Sequence, residues 1–411
     1  MKTKRMVVFG FGARGQIYSS FARAFPEKFQ LVAIIENNLE RIEAAKKEYK
    51  GIPVFNDYHA FLSKKIPADI VIVATQDKDH PEHAIAMMKS GYDLLLEKPI
   101  ANSKDECLRI YEASQKYNRK VIVCHVLRYS PFYSTIKEII DSGKIGEVVS
   151  IHASENVGYF HQAHSFVRGP WNNSIKSSPM ILAKCCHDMD IFRYLVNEKC
   201  ISVNSLGSLY FFNEKHAPIN SANYCSDCPH KDCLYNAQNL YINTDARSFA
   251  GYFANGELND ENILKCLHHS DYDRCVFKSD NDVVDHQVTI MNFANGKTVC
   301  HTMSAFSKTI YRDIKIFATK AQLLGKMEDN RVEIKYFNGF DETIEIDISK
   351  ATVGGHNGSD FYMMNSLFEA LNGNNSFGIS FLDVSLESHL MCFAAEESRL
   401  HDGNTIYINK D

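Results

Sequence analysis

Met6-Val-Val-Phe9-Gly10-Phe-Gly12-Ala13-Arg14-Gly15 runs from a short apolar stretch through three glycines into a segment with Ile17, Phe21 and Phe25 at helical spacing. The pattern reads as a buried strand, a tight turn and a helix over Gln16–Phe25. The first glycine permits the turn and the second lets backbone approach a pyrophosphate. The third allows close helix–strand packing, and the helix N-terminus supplies N–H groups and a positive dipole. Ala13 and Arg14 lie in this loop and are expected among the cofactor contacts. Leu31–Ile35 is a second apolar strand, and Glu36 ends it 21 residues after Gly15, placed to accept ribose hydroxyls. A carboxylate there repels a 2′-phosphate and so favours NAD, while Arg14 and Arg41 leave NADP open.

Outward from this turn, the apolar runs Ile70–Val73, Leu94–Leu96 and Val121–Val123 alternate with helical stretches at Leu39–Tyr49, Pro81–Lys89 and Lys104–Tyr117. Continuous apolar strands joined by helical crossovers are parallel and buried on both faces, which makes residues 1–125 a doubly wound α/β domain. Thr75 falls at the C-terminal sheet edge, where the nicotinamide half of a dinucleotide lies. His80, at the start of the next helix, is open to two readings, cofactor contact or cap. Glu97 and Lys98 end the strand Leu94–Leu96. A lysine forced to that edge has an orienting or proton-transfer task available, although a solvated lysine beside Pro99 is the simpler reading of spacing alone.

Beyond residue 125 the rhythm changes. One helix is expected over Ile181–Leu195. Alternating runs at Val284–Phe293, Thr298–Ser304, Tyr311–Phe317, Arg331–Tyr336 and Thr343–Ile348 predict a largely antiparallel sheet with one solvated or subunit-covered face. A helix Leu382–Leu400 and a short strand finish the chain. The stretch 210–280 is aperiodic and rich in Asn, Asp, Cys and His, so something should hold it in place.

The 411 residues carry 45 Lys and Arg against 50 Asp and Glu, a balance of −5. That lacks the charge of a dedicated nucleic-acid binder, and no apolar run approaches the roughly 18 residues of a membrane span. The opening MKTKRMVVFGFGARG is too soon interrupted to be an export signal, so the twelve cysteines are expected as reduced thiols in a cytoplasmic protein.

The glycine turn, the acid after the second strand, Glu97-Lys98-Pro99, the stretch from His125 (HVLRYSPFY) and a His-x-x-Asp helix together resemble the Gfo/Idh/MocA family of glucose–fructose oxidoreductase and inositol dehydrogenase. The resemblance implies a Rossmann NAD(P)-binding domain at 1–125. A C-terminal α+β domain with a large, mostly antiparallel open sheet would follow at 126–411, building a homodimer or homotetramer through that sheet. It implies hydride transfer between NAD(P) and a hydroxyl carbon of a sugar, sugar derivative or cyclitol. Lys98 corresponds to the catalytic lysine and His187 to the acid/base histidine. The family usually has Asp four residues before that histidine; here Ala183 stands there, followed by Lys184. Lys184 then either assists proton transfer or binds substrate. Arg128 and Asp190 are read as substrate-side groups. Two other readings stay open: glycoside cleavage through transient sugar oxidation and elimination, and a cofactor-binding regulator without turnover.

His161, His164, Arg168 and Trp171, the only tryptophan, fall within eleven residues. They combine directional donors with a flat apolar platform and make a candidate carbohydrate subsite, or else a surface loop. His356, in the turn Gly354–Asp360, is a further substrate candidate, and Asp360 reads as a helix cap. Cys225-x2-Cys228-x4-Cys233, with Cys275 downstream, has the spacing of a structural zinc site. Cys266, His230, His268 or His269 could replace the fourth ligand; an iron–sulfur cluster or unliganded thiols are the alternatives.

Overall fold

A computed structural model describes residues 1–254, 256–374 and 378–408. The first sheet contains β1 (Lys4–Phe9), β2 (Phe29–Ile35), β3 (Val54–Phe55), β4 (Ile70–Val73), β5 (Leu94–Leu96) and β6 (Val121–Val123), in the order β3-β2-β1-β4-β5-β6. All five pairings are parallel. Successive residues feed opposite faces: Val7, Phe9, Val71, Val73, Leu94 and Leu96 pack on one side. Met6, Val8, Leu31, Ile70, Ile72 and Leu95 pack on the other. Both faces being buried, the strands read as unbroken apolar runs. The chain order reverses between β1 and β4, which opens a crevice at their C-terminal ends.

The second sheet has nine strands: β7 (Val148–Asn156), β8 (Cys200–Ser208), β9 (His286–Phe293), β10 (Thr298–Ser304), β11 (Tyr311–Ala318), β12 (Ala321–Lys326), β13 (Arg331–Tyr336), β14 (Asp341–Glu345) and β15 (Ile406–Tyr407). Their order is β14-β13-β12-β11-β7-β10-β9-β8-β15, antiparallel except for β7 beside β10. The inward side, with Ile151, Met291, Val299, Ile314 and Leu323, shares a core with the helix Cys186–Val196. The outward side exposes Val149, Leu206, Val288 and Ile290.

Three expectations need correction. The last strand of the central run is Asp341–Glu345 and not Thr343–Ile348. The helix expected over Ile181–Leu195 is broken into Met180–Ala183 and Cys186–Val196. Residues 210–280, an insertion, are held by a core of their own: Phe212, Tyr235, Leu240, Tyr241, Ile263 and Phe277 form a buried cluster with Phe160 and Val167. A boundary at residue 125 also divides a shared core. Leu382 and Leu386, from the helix Leu382–Leu400, pack into the cluster of β1, β4 and β5. Ile122 of β6 pairs with Phe381, and Ile100 N–H donates to His389 Nε2 at 2.9 Å. Among the described residues no helix is long and apolar enough to cross a membrane.

Candidate active site

The glycine turn meets the requirements of a dinucleotide cradle. Gly10 has φ of +95°, and a Cβ there would lie 2.5 Å from the Ala74 carbonyl. A Cβ on Gly15 would lie 1.8 Å from the Gly10 carbonyl, so neither position accepts a side chain. Around Gly12 only the Arg41 guanidinium comes near, at 3.5 Å. The helix Ala13–Ala24 begins without a side-chain cap or an acid in its first turn, leaving its N–H groups free for an anion. Glu36, 5% exposed, accepts the Phe11 amide at 2.7 Å and the Asn37 and Asn38 amides at 2.9 Å, which sets its carboxylate at the rim of the crevice. Arg41 lies 4.0 Å from that carboxylate. Thr75 stands at the end of β4 and contacts His83 Nδ1 at 3.0 Å. The residues present therefore fit a nicotinamide dinucleotide.

Arg14 lies elsewhere than expected. Its guanidinium pairs with Glu97 at 2.5 Å and Asp360 at 2.7 Å and donates to Tyr18 Oη at 2.5 Å. It joins the glycine turn to the C-terminal domain and spends four of its five N–H donors there. Asp360 also accepts the Gly355 amide at 2.8 Å, while the helix cap is Gly358. Burial works against both carboxylates. Arg14 with Tyr18 outweighs it at Glu97, and His356 with Arg14 outweighs it at Asp360, so both lie below the usual carboxylate range. His80 is fully buried, with Nδ1 at 2.8 Å from the Pro99 carbonyl. It thus supports the Lys98–Pro99 turn, and Asp79 takes the cap position.

Lys98 projects from this turn and its Nζ donates to the Ala183 carbonyl at 3.0 Å. That tertiary bond engages a carbonyl at the point where the expected continuous helix ends. Beyond the break, His187 is 5% exposed and its ring lies 6.1 Å from His356 and 5.9 Å from His125. Burial first, then the Lys98 cation, pushes the His187 imidazole well below its ordinary value, so it is neutral at pH 7. Its Nδ1 lacks a protein partner. Asp190 and Arg128, expected on the substrate side, instead close on each other at 2.6 and 2.8 Å in a buried pair beneath the site. Lys184 turns to Glu155 of β7 at 3.1 Å, and Arg312 of β11 holds Glu155 at 2.5 Å and Asp188 at 2.9 Å.

The residues 161–171 divide in two. His161 lies close enough to Lys184 and Lys98 for their charges to add to burial in depressing its imidazole. Trp171 meets Asp77, whose carboxyl burial raises although His80, Lys98 and the indole N–H oppose it. These two lie near Lys98. His164 stacks between Phe249 and Tyr272, with ring centroids at 4.8 and 4.7 Å, and binds Tyr241 Oη at 2.8 Å. Arg168 is buried against carbonyls. Both pack against residues of the insertion, through Tyr241, Arg274 and Tyr235.

The thiols of Cys225, Cys228, Cys233 and Cys275 are free and line one cavity of about 20 Å³. Among the described residues, only Cys185, Asp188 and His301 bring three candidate ligand atoms within 4.8 Å of one another, and Arg312 already pairs that aspartate. The insertion sulfurs are spaced more widely around their cavity. Sequence reasoning missed Asp77, Glu155 and Arg312. Arg312 left a signal: it takes an inward position in a strand whose other inward residues are Ile314, Ile316 and Ala318.

YteT of Bacillus subtilis (strain 168), which carries an oxidoreductase name, is 25% identical over 395 residues, covering 89% of this chain and 88% of the relative. Inositol 2-dehydrogenase 2 of Saccharopolyspora erythraea is 27% identical over 205 residues, 49% of this chain and 57% of that protein. A levoglucosan dehydrogenase solved with NADH and levoglucosan has the same fold, with a TM-score of 0.71 at 17% identity over 99% of this chain and all of that one. The family model for the oxidoreductase NAD-binding Rossmann fold matches residues 4–125, and that for the oxidoreductase C-terminal alpha/beta domain matches residues 137–374. With both halves matched in order, and the glycine turn, Lys98 and His187 meeting in one crevice, the chain belongs to the Gfo/Idh/MocA oxidoreductase family.

Proposed function

We propose that the protein transfers a hydride between NAD and a hydroxyl-bearing carbon of a sugar, sugar derivative or cyclitol. The observation that carries this is the meeting of the Lys98 ammonium, from the dinucleotide-binding domain, with the neutral imidazole of His187 from the other domain, at the crevice beside the glycine turn. NAD, when bound, supplies the hydride acceptor or donor. His187 takes the hydroxyl proton during oxidation and returns it during reduction. Lys98 stabilises the oxygen as it gains negative charge, and its bond to Ala183 aims it. Trp171 and His161 border the substrate side, with His356 across from His187. The sugar or cyclitol class agrees with the names of the inositol and levoglucosan dehydrogenases.

Glu36 makes NAD the preferred cofactor over NADP. The exposed apolar side chains on the outward side of the second sheet, Val149, Leu206 and Ile290, are the surface for a homodimer or homotetramer. One structural zinc belongs to Cys225, Cys228, Cys233 and Cys275, and the reduced thiols suit a cytoplasmic enzyme. The test is a panel of sugars, cyclitols and glycosides assayed for NADH formation and aglycone release. NADH that accumulates with a sugar or cyclitol supports the reading. Aglycone release without net NADH replaces it with redox-assisted glycoside cleavage.

A further inference from the structure

Arg168, in the segment 161–171 that packs on the insertion, is not explained by the insertion's apolar core. The side chain is 2% exposed, and among the described residues no carboxylate pairs with it. Its Nε donates to the Arg274 carbonyl at 2.7 Å, and its Nη2 donates to the Tyr235 carbonyl at 2.7 Å and to Cys225 Sγ at 3.5 Å. A buried guanidinium without a counter-charge is costly. Neutral thiols do not supply that charge, whereas four thiolates around a divalent cation carry a formal charge of minus two.

The surroundings suit such a centre. The four cysteines come from two stretches of the insertion joined by main-chain bonds, Cys225 N–H to Asp273 O and Cys275 N–H to Asn223 O, both 2.8 Å. Their cavity of about 20 Å³ has room for one ion. Four sulfurs are the donor set of a closed structural zinc site, which draws each to about 2.3 Å from the metal. The same insertion also grips the chain beyond Arg168. Asp282 N–H donates to the Asn172 carbonyl at 3.0 Å, and Asn172 Nδ2 donates to Asp280 at 3.1 Å. Trp171 lies between these two holds and reaches Asp77 beside Lys98.

We propose that the insertion is a metal-dependent clamp: a zinc–tetrathiolate centre on Cys225, Cys228, Cys233 and Cys275 neutralises and fixes Arg168, and through it sets the position of Trp171 at the substrate side of the crevice. Arg168 is then a positioning residue. The substrate end of this proposal rests on the oxidoreductase reading; the metal end does not.

The test uses the full chain with NAD bound, purified without chelator. Metal analysis should find about one zinc per chain. Trp171 is the only tryptophan, so its emission reports this segment alone. Stripping zinc with 1,10-phenanthroline should red-shift that emission and expose it to acrylamide. KM for a productive sugar should rise roughly tenfold, with kcat and NAD affinity within about twofold, and zinc chloride should reverse each change. Arg168→Lys should keep the zinc and reproduce the KM rise. Protein without zinc, or with iron in its place, overturns the proposal. So does zinc that leaves without moving the Trp171 emission. If no sugar or cyclitol reacts, the oxidoreductase reading fails, while zinc content and Trp171 emission still decide the clamp.

Discussion

Around Lys98 and His187 the buried and half-buried arginines meet carboxylates: half-buried Arg14 meets Glu97 and Asp360, Arg128 meets Asp190, and Arg312 meets Asp188 and Glu155. Against the insertion the buried Arg168 meets carbonyls and a thiol. The first region balances its charge within the polypeptide and so fixes its geometry through side chains alone. The second leaves a positive charge for something else to balance. The difference teaches where each region is fragile. The seam should fail when one member of an ion pair is removed, and the proposed clamp predicts that the insertion fails when its thiols are disturbed.

The sharpest way to break the seam is Arg14→Met. It removes the guanidinium that Glu97 and Asp360 share, and breaking a buried pair from one side costs about 3–5 kcal/mol. Urea unfolding at pH 7 should show a loss of that size. Chemistry comes next. Lys98→Ala and His187→Ala should each cut turnover roughly a hundredfold or more, the scale of lost acid–base catalysis, with NAD affinity within about twofold by titration. Wild-type turnover in both variants would remove these residues from the mechanism. Lys184→Ala should cost less, about tenfold, because Arg312 still holds Glu155. A loss equal to that of His187→Ala would put Lys184 in the proton-transfer step.

Acid sharpens the comparison because both regions bury neutral imidazoles. Burial is the leading cause that lowers His125, His161 and His187 well below their ordinary value, and it brings His164 and His389 to about 3. Each folded value lies below the unfolded one near 6.5, so the unfolded chain binds more protons as pH falls. The stability these groups provide is complete above about pH 6.5 and declines below it. Each such group costs about 1.4 kcal/mol by pH 5.5. Melting temperature should fall steeply between pH 7 and pH 5; a flat profile would mean that these rings are already charged in the folded state. The smallest expected effect is at the cofactor. Glu36→Ala should narrow the preference for NAD over NADP, read by binding titration, because Arg41 4.0 Å away would be released toward a 2′-phosphate.

The first domain was legible because its information is local. Its buried strands are continuous apolar runs, and Gly10 and Gly15 must be glycine for reasons visible within a few residues. Lys98 and His187 were legible only as a resemblance, since nothing near either residue says that they meet. Arg14 was misread because its partners lie 83 and 346 residues away. The break after Ala183 was unreadable for the same reason: the helical period continues through it, and the competing donor is on another domain. Arg168 and His164 had the composition of a sugar subsite, but the aromatic residues that enclose them come from the insertion, whose own core is built of short helices and turns without a long period.

The helix Leu382–Leu400 has a consequence for synthesis. Chains emerge from the ribosome N-terminus first, and domains generally fold as they appear. Here β6 waits for Phe381, the Ile100 amide waits for His389, and Arg14 waits for Asp360. The nucleotide-binding half stays open at one edge and carries an uncapped cluster of ionised groups until residues 360–389 have been translated. A ribosome stalled after residue 350 would therefore hold a nascent chain whose nucleotide-binding domain is still unfinished, and such a chain is a natural client for a chaperone at the exit tunnel.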